Sequence, residues 1–353
     1  MTTIPASPRA AQPAATTADA ATTTGWRHRD VLDLDDFSRD EIVTVLDLAA
    51  SMREILDRRI ARTPALRGYT VVNLFYEAST RTRASFELAG KVLGADVISV
   101  SASTSSVQKG ESLIDTVRTL RAMRADAIVL RHASSGAAYL AAQHTDASII
   151  NAGDGAHAHP TQALLDLYTI RSHFGDLEGK KVVMVGDISH SRVARSDLWG
   201  LTAMGAKVVV CGPPTLLPRG FRAGERPDHA ESALPPVTIE TNIDRAIEGA
   251  DVVMALRLQS ERQQGGLLPS LHEYAQHYQV TGQRLAKAHP NHLLMHPGPK
   301  NEGIEISADV AGGRTSIIEE QVTNGVAVRM ALLYLLAGYT EPPIAGAAKE
   351  LLG

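Results

Sequence analysis

Ser79-Thr80-Arg81-Thr82-Arg83 sets hydroxyls and guanidinium groups side by side just after the apolar run Tyr69 to Phe75. If that run is a strand and the next residues open a helix, free backbone N–H groups join those side chains, and the cluster suits a phosphate group. Read alone, Ser-Thr-Arg-Thr is more often a helix cap followed by solvated arginines, so its neighbours decide. Arg131 follows the apolar run Ala127 to Leu130, Arg192 comes shortly after Lys181 to Val185, and Arg257 and Gln259 follow Val252 to Leu256. A guanidinium pairs with carboxylate or phosphate through two parallel hydrogen bonds, so arginines placed at strand ends outline a cleft for anions.

These residues need elements to position them. Ser38-Arg39-Asp40-Glu41 before Ile42, Val45, Leu46 and Ala49 predicts a capped helix, and Arg81 through Phe86, Ala89 and Leu93 to Gly94 predicts another. Asp96 to Val100, Ala127 to Leu130 and Ser148 to Ile150 read as buried parallel strands, with the helical stretch Leu113, Ile114, Val117, Leu120 between them. A helix starting near Pro160 runs on through Leu164, Leu167 and Tyr168. Lys181 to Gly186, Lys207 to Cys211, Asp251 to Leu256 and His292 to Met295 repeat the strand signal, and Glu320 to Ala337 closes the chain as an amphipathic helix. At 353 residues the chain exceeds what one core usually supports. The expected fold is α/β, two open parallel-sheet domains with helices on both faces. The boundaries read as a tail over 1–25, a first domain over 26–160, an interdomain helix over 161–175, a second domain over 176–318, and a C-terminal helix over 319–353 packing back on the first domain. In such sheets ligands sit beyond the carboxyl ends of the strands, which is where the arginines fall.

A net charge of −4 gives no global attraction to nucleic acid or to an anionic membrane, so any anion site is local. No apolar run approaches the ~20 residues that span a bilayer. Cys211 is the single cysteine, which excludes an intrachain disulfide and a cysteine-based zinc cluster and fits a reducing cytoplasm. It ends Val208-Val209-Val210 and reads as a buried strand-end thiol. Residues 1–25, rich in Ala, Thr and Pro, read as a disordered tail; a transit peptide is the alternative, with Arg9 as its sole basic residue.

Ser79 to Arg83 followed by Ser85-Phe86-Glu87 resembles the carbamoyl-phosphate loop of the aspartate and ornithine carbamoyltransferase family. Asn151 to Gly155 and His159-Pro160-Thr161-Gln162 are similar to the family's segment that contacts the carbamoyl group, and His296-Pro297-Gly298-Pro299 resembles the loop of its aspartate branch. The ornithine branch carries a cysteine-containing His-Cys-Leu-Pro there, and Cys211 lies far from it. The resemblance covers Trp26 to the last helix. It implies transfer of a carbamoyl group from carbamoyl phosphate to L-aspartate, the committed step of pyrimidine biosynthesis, without a metal or other cofactor. It assigns Ser79, Thr80, Arg81, Thr82, Arg131, His159, Gln162, Gly298 and Pro299 to carbamoyl phosphate, with Arg81, Thr82, Arg131 and His159 as the catalytic donors. Arg192, Arg257 and Gln259 go to aspartate. Ser105 and Lys109 match residues that the family contributes from a neighbouring subunit, Ser105 to carbamoyl phosphate and Lys109 to both substrates, which implies a homotrimer with shared active sites. Regulatory or dihydroorotase-like partner chains are left open.

Two other classes compete. His157-Ala158-His159 suggests a metal-dependent amidohydrolase, though His-x-His alone is a weak motif. Val182 to Asp187 resembles the first strand of a dinucleotide fold, but Gly186 is followed by Asp187 and Ile188, without the glycine spacing that admits a pyrophosphate. One departure from the aspartate branch stands out: Glu302 follows Pro299-Lys300-Asn301 where an arginine is common, so either Lys300 substitutes or that contact is missing.

Overall fold

The computed structural model describes residues 26–101, 110–218, 234–235, 237–259 and 267–339. The tail over 1–25, the loop carrying Ser105 and Lys109, and the last residues of the C-terminal segment therefore lie outside the described residues.

Helix α1 (Arg39–Leu56) begins at the capping box the sequence announces: Glu41 N–H donates to Ser38 Oγ at 3.3 Å, and Ser38 N–H donates back to Glu41 Oε2 at 2.8 Å. Four strands then form a parallel sheet: β1 (Thr70–Phe75), β2 (Asp96–Ser101), β3 (Ala127–His132) and β4 (Ser148–Asp154), in the order β2-β1-β3-β4. Helices α2 (Thr80–Leu93), α3 (Leu113–Ala122) and the short α4 (Ala137–Ala142) make the crossovers. Strand β4 runs four residues beyond the Ile150 expected from its apolar run, because Asn151 and Asp154 are buried by mutual hydrogen bonding (2.9 Å) and not by apolarity.

Helix α5 (Pro160–Phe174) leads to the second sheet and packs against α6 (Arg192–Ala203) and against α11 (Ile318–Ala337). That sheet comprises β5 (Lys181–Val185), β6 (Lys207–Cys211), β7 (Thr238–Ile239), β8 (Val252–Ala255) and β9 (Leu293–Met295), in the order β7-β6-β5-β8-β9, all parallel. The helices α7 (Ile243–Ile247), α8 (Leu271–Tyr278), α9 (Gly282–Leu285) and α10 (Ala308–Ala311) complete this half. The two-residue β7 carries too little pattern to be read from sequence. Cys211 is buried at the end of β6, and burial pushes its thiol up to about 12.

Helix α11 differs from expectation. It is not amphipathic: residues 324–333 are buried without a break, because α1, α2 and α5 enclose it. Its polar residues are matched inside, Asn324 donating to Thr169 Oγ1 at 3.0 Å and accepting from Arg53 Nη1 at 2.8 Å. One continuous core joins β1 and β3 of the first sheet to β5 and β8 of the second through α1, α2, α5, α6 and α11. Among the described residues no helix is long and apolar enough to cross a membrane.

In each sheet the crossovers from one central strand run to opposite sides: β1 lies between β2 and β3, and β5 between β6 and β8. Such reversals open a crevice at the carboxyl edge, and both occur here where the arginine-bearing loops emerge. Removing the α1 cap tests the local reading of the first helix: Ser38→Ala is expected to lower stability by about 1 kcal/mol, measured by urea unfolding.

Candidate active site

The loops after β1, β3, β4, β5, β8 and β9 line one cleft of about 1100 Å³. It brings together Ser79, Thr80, Arg81, Thr82, Arg131, His159, Gln162, Arg192, Arg257, Gln259, Gly298 and Pro299. Ser79 is the N-cap residue of α2, but its hydroxyl makes no capping bond and the first turn of α2 has no acidic residue. The N-terminal N–H groups and dipole of α2 thus face a cleft that holds no carboxylate of the helix's own.

Arg131 sits where the β3–β4 register shifts between Leu130 and His132. The irregularity turns its side chain along β4, where Nη1 donates to Ala152 O at 3.2 Å. Arg192, the first residue of α6, is buried and donates from Nη1 to Gly155 O at 3.2 Å. Gly153 (φ +112°) makes room for both, since a Cβ there would stand 2.8 Å from Arg192 Cζ and 3.1 Å from Arg131 Nη1. Gly298 (φ +67°) does the same for Arg81, whose Cζ would lie 2.9 Å from a Cβ. Burial, and then the charge of Arg257, lowers the pKa of Arg81. Those two guanidiniums, from different sheets, are close enough to repel.

His159 caps α5 ahead of Pro160 and is held by its backbone. Its N–H donates to Ser196 Oγ at 2.9 Å, and that hydroxyl donates to the buried Asp33 at 2.7 Å. Burial pushes the Asp33 carboxyl up to about 6. On the second sheet, Asp187 after β5 is buried; its Oδ1 lies 2.7 Å from His190 Nδ1, and its Oδ2 accepts from Gln259 N–H at 3.4 Å.

Several lining residues were not singled out in the sequence. Glu77 Oε2 lies 3.0 Å from Arg192 Nη2 and 3.4 Å from Arg131 Nε, so one carboxylate ties the two guanidiniums and the two sheets together. Its signal was present, an acid two residues before the phosphate-type loop, but an acid beside an anion site runs against simple charge matching. His190, Gln321 and Arg329 also line the cleft. Arg329 lies within the apolar α11, where a lone charge gives no hint of the cleft beside it; it donates to Ser85 Oγ at 2.9 Å. Lys300 pairs with Glu302 at 2.7 Å and is not part of the cleft lining. His157 Nδ1 lies 3.2 Å from Asp154, and among the described residues no group of three or more His, Cys, Asp or Glu is arranged to hold a metal ion.

The chain matches two family descriptions, "Aspartate/ornithine carbamoyltransferase, carbamoyl-P binding domain" over residues 29–172 and "Aspartate/ornithine carbamoyltransferase, Asp/Orn binding domain" over residues 178–336. An aspartate carbamoyltransferase catalytic subunit from Roseiflexus sp. is 60% identical over 313 residues, covering 88% of this chain and 96% of that subunit. The crystal structure of Trypanosoma cruzi aspartate transcarbamoylase in complex with N-(phosphonacetyl)-L-aspartic acid superposes with a TM-score of 0.77 at 31% identity, covering 87% of this chain and 95% of that one. Ornithine carbamoyltransferase from Pyrococcus furiosus gives 0.75 at 30% identity, covering 89% and 99%.

His296 supplies a pH test of the cleft's electrostatics. Burial, then Arg81, Lys300 and Arg257, pushes its pKa from 6.5 down to about 4. Its Nδ1 accepts from Gly298 N–H at 2.8 Å, and Glu305, 3.9 Å from its Nε2, is already engaged by the N–H groups of Leu258 and Asn301. Between 6.5 and about 4 the unfolded chain takes up a proton at this histidine that the folded chain refuses, so stability falls as pH drops through that window. Urea unfolding midpoints should decline less steeply across it in His296→Asn, which keeps an acceptor for Gly298.

Proposed function

Because the chain belongs to the aspartate/ornithine carbamoyltransferase family, we propose that it transfers the carbamoyl group of carbamoyl phosphate to the amino group of L-aspartate, giving N-carbamoyl-L-aspartate and phosphate. The observation that carries this reading is the convergence of Arg81 and Arg131 from one sheet with Arg192 and Arg257 from the other on a single cleft. A dianionic donor and a dicarboxylic acceptor need that much positive charge. The product feeds pyrimidine biosynthesis, and the sole cysteine, buried, fits work in the cytoplasm.

The donor is held by the first domain, its phosphate on Ser79, Thr80, Arg81 and Thr82 at the α2 N-terminus. Arg131, His159 and Gln162 surround the carbamoyl group, and Gly298 and Pro299 close the far side. Arg192, Arg257 and Gln259 take the carboxylates of aspartate. The aspartate amine attacks the carbamoyl carbon; the new C–N bond forms, the C–O bond to phosphate breaks, and the departing phosphate accepts the amine proton. Negative charge gathers on the carbamoyl oxygen in the tetrahedral intermediate, where Arg81, Thr82, Arg131 and His159 stabilise it as donors. Holding two anions in attack geometry contributes roughly 7–11 kcal/mol in well-aligned systems, which makes orientation as important as charge.

The site is completed by Ser105 and Lys109 of an adjacent subunit in a homotrimer. Both follow β2, the edge strand of its sheet, whose Ile98 is exposed.

Product identification with carbamoyl phosphate and either L-aspartate or L-ornithine tests the reaction, and carbamoyl-aspartate is the expected product. Arg131→Ala should lower kcat by about 10²–10³-fold. Sharing is tested by mixing: Arg81→Ala and Lys109→Ala are each expected to be nearly inactive, and activity should return when the two are dissociated and reassembled together. No recovery after demonstrated subunit exchange would mean self-contained sites.

A further inference from the structure

Behind the cleft lies a carboxylate that no step above uses. Asp166, on α5, is buried and accepts from Nε2 of Gln162, one turn earlier, at 3.2 Å on each of its oxygens. Its Oδ1 also accepts from Gln321 Nε2 of α11 at 2.6 Å. The other end of Gln321 is occupied too, because its Oε1 accepts from His296 N–H at 3.0 Å.

These bonds fix the direction of both amides. A backbone N–H only donates, so Gln321 must give its oxygen to His296 and its NH₂ to Asp166. A carboxylate only accepts, so Gln162 turns its NH₂ inward as well. Its Oε1 is left on the side of the cleft that Gln162 lines. Burial raises the carboxyl of Asp166 too, but the hydrogen bonds from Gln321 and Gln162 and the charge of Arg329 oppose that rise. The buried Asp197, with no hydrogen-bond partner for either oxygen among the described residues, is raised well above the carboxylate range by burial and then by the charge of Asp166, so ionisation falls to Asp166 before its neighbour.

We infer that Asp166 is a positioning residue which, by accepting from both glutamines, presents Gln162 Oε1 as the acceptor for the –NH₂ of the carbamoyl donor and anchors the loop His296 to Pro299, so that the site prefers a carbamoyl group over an acyl group lacking N–H. This rests on carbamoyl phosphate being the donor. Acetyl phosphate is the discriminating probe, since it replaces the amino group with a methyl group of similar size and leaves the phosphate unchanged. A site that presents a directed acceptor rejects the ligand lacking the matching donor, because the acceptor is then desolvated and unpaired.

The variant Asp166→Asn offers one acceptor and one donor. Gln321, locked by His296, claims the acceptor, so the new NH₂ meets Gln162 and turns that amide round to present its own NH₂ to the cleft. Calorimetric titration is expected to show carbamoyl phosphate affinity falling about ten-fold or more, while acetyl phosphate and inorganic phosphate stay within about two-fold of wild type. A parallel loss for all three ligands, as a merely structural role for Asp166 would give, overturns the inference, and so does an unchanged preference. In a Gln162→Met background, Asp166→Asn should leave the preference where Gln162→Met put it; a further loss would show that Asp166 does not act through Gln162. If Asp166→Asn does not fold, hydrogen exchange at the Gln162 side-chain amide of the wild-type protein decides: protection supports the inward NH₂, and free exchange overturns it. Wild-type turnover of carbamoyl phosphate with L-aspartate reports separately on the donor, so an inactive wild type with a protected Gln162 amide would break the functional reading and leave the amide network standing.

Discussion

Guanidinium groups facing one another across a cleft repel, and between walls of protein the repulsion is screened less than at an open surface. Arg81 registers this directly, its pKa lowered by burial and by Arg257. His296 registers it from the other side, kept neutral well below its ordinary value by burial and by three neighbouring cations. The surrounding structure imposes the crowding. Glycines at 153 and 298 let backbone approach where a Cβ would collide with Arg192, Arg131 or Arg81. Glu77 lies against two of the arginines, and carbonyl oxygens of Ala152 and Gly155 accept from them.

What the sequence disclosed follows from which features are local. Strands β1, β3, β5, β6 and β8 are apolar runs buried on both faces, so their positions, and the arginines that end or follow them, were legible by eye. The capping box at Ser38 was legible because its partners lie three residues apart. The extension of β4 was not, because Asn151 and Asp154 look like loop residues until each supplies the other's hydrogen bond. Glu77 was missed because its function depends on arginines 54 and 115 positions away in the chain. Helix α11 reads as amphipathic in the sequence, whereas its polar residues Gln321, Asn324 and Arg329 find partners on α5, α1 and α2 inside the protein.

Those buried polar residues of α11 matter more than a burial pattern suggests. Arg329 lies beneath the cleft with its guanidinium desolvated and its pKa pushed down to about 10, opposed by Asp166. A buried cation without a compensating anion is strongly destabilising, so a carboxylate here is required by charge alone. Asp197 is the weaker counter-ion, since burial and then the charge of Asp166 raise its pKa well above the carboxylate range. Asp166 therefore serves as the counter-charge of Arg329 as well as the acceptor of two glutamine amides, and its placement answers to both demands.

The division of the arginines between two sheets gives the connecting elements their importance. Neither sheet alone brings enough positive charge to the cleft for two anionic ligands, so relative placement of the halves has to be specified as closely as the side chains themselves. One hydrophobic core runs through both sheets by way of α5, α6 and α11, which sets the halves in contact without fixing direction. Direction comes from the polar ties that cross it: Glu77 to Arg192, His159 N–H to Ser196, and Asp166 through Gln321 to His296. Each ends on a residue lining the cleft or on its immediate support. The same few hydrogen bonds therefore orient the two halves and aim the groups that meet between them.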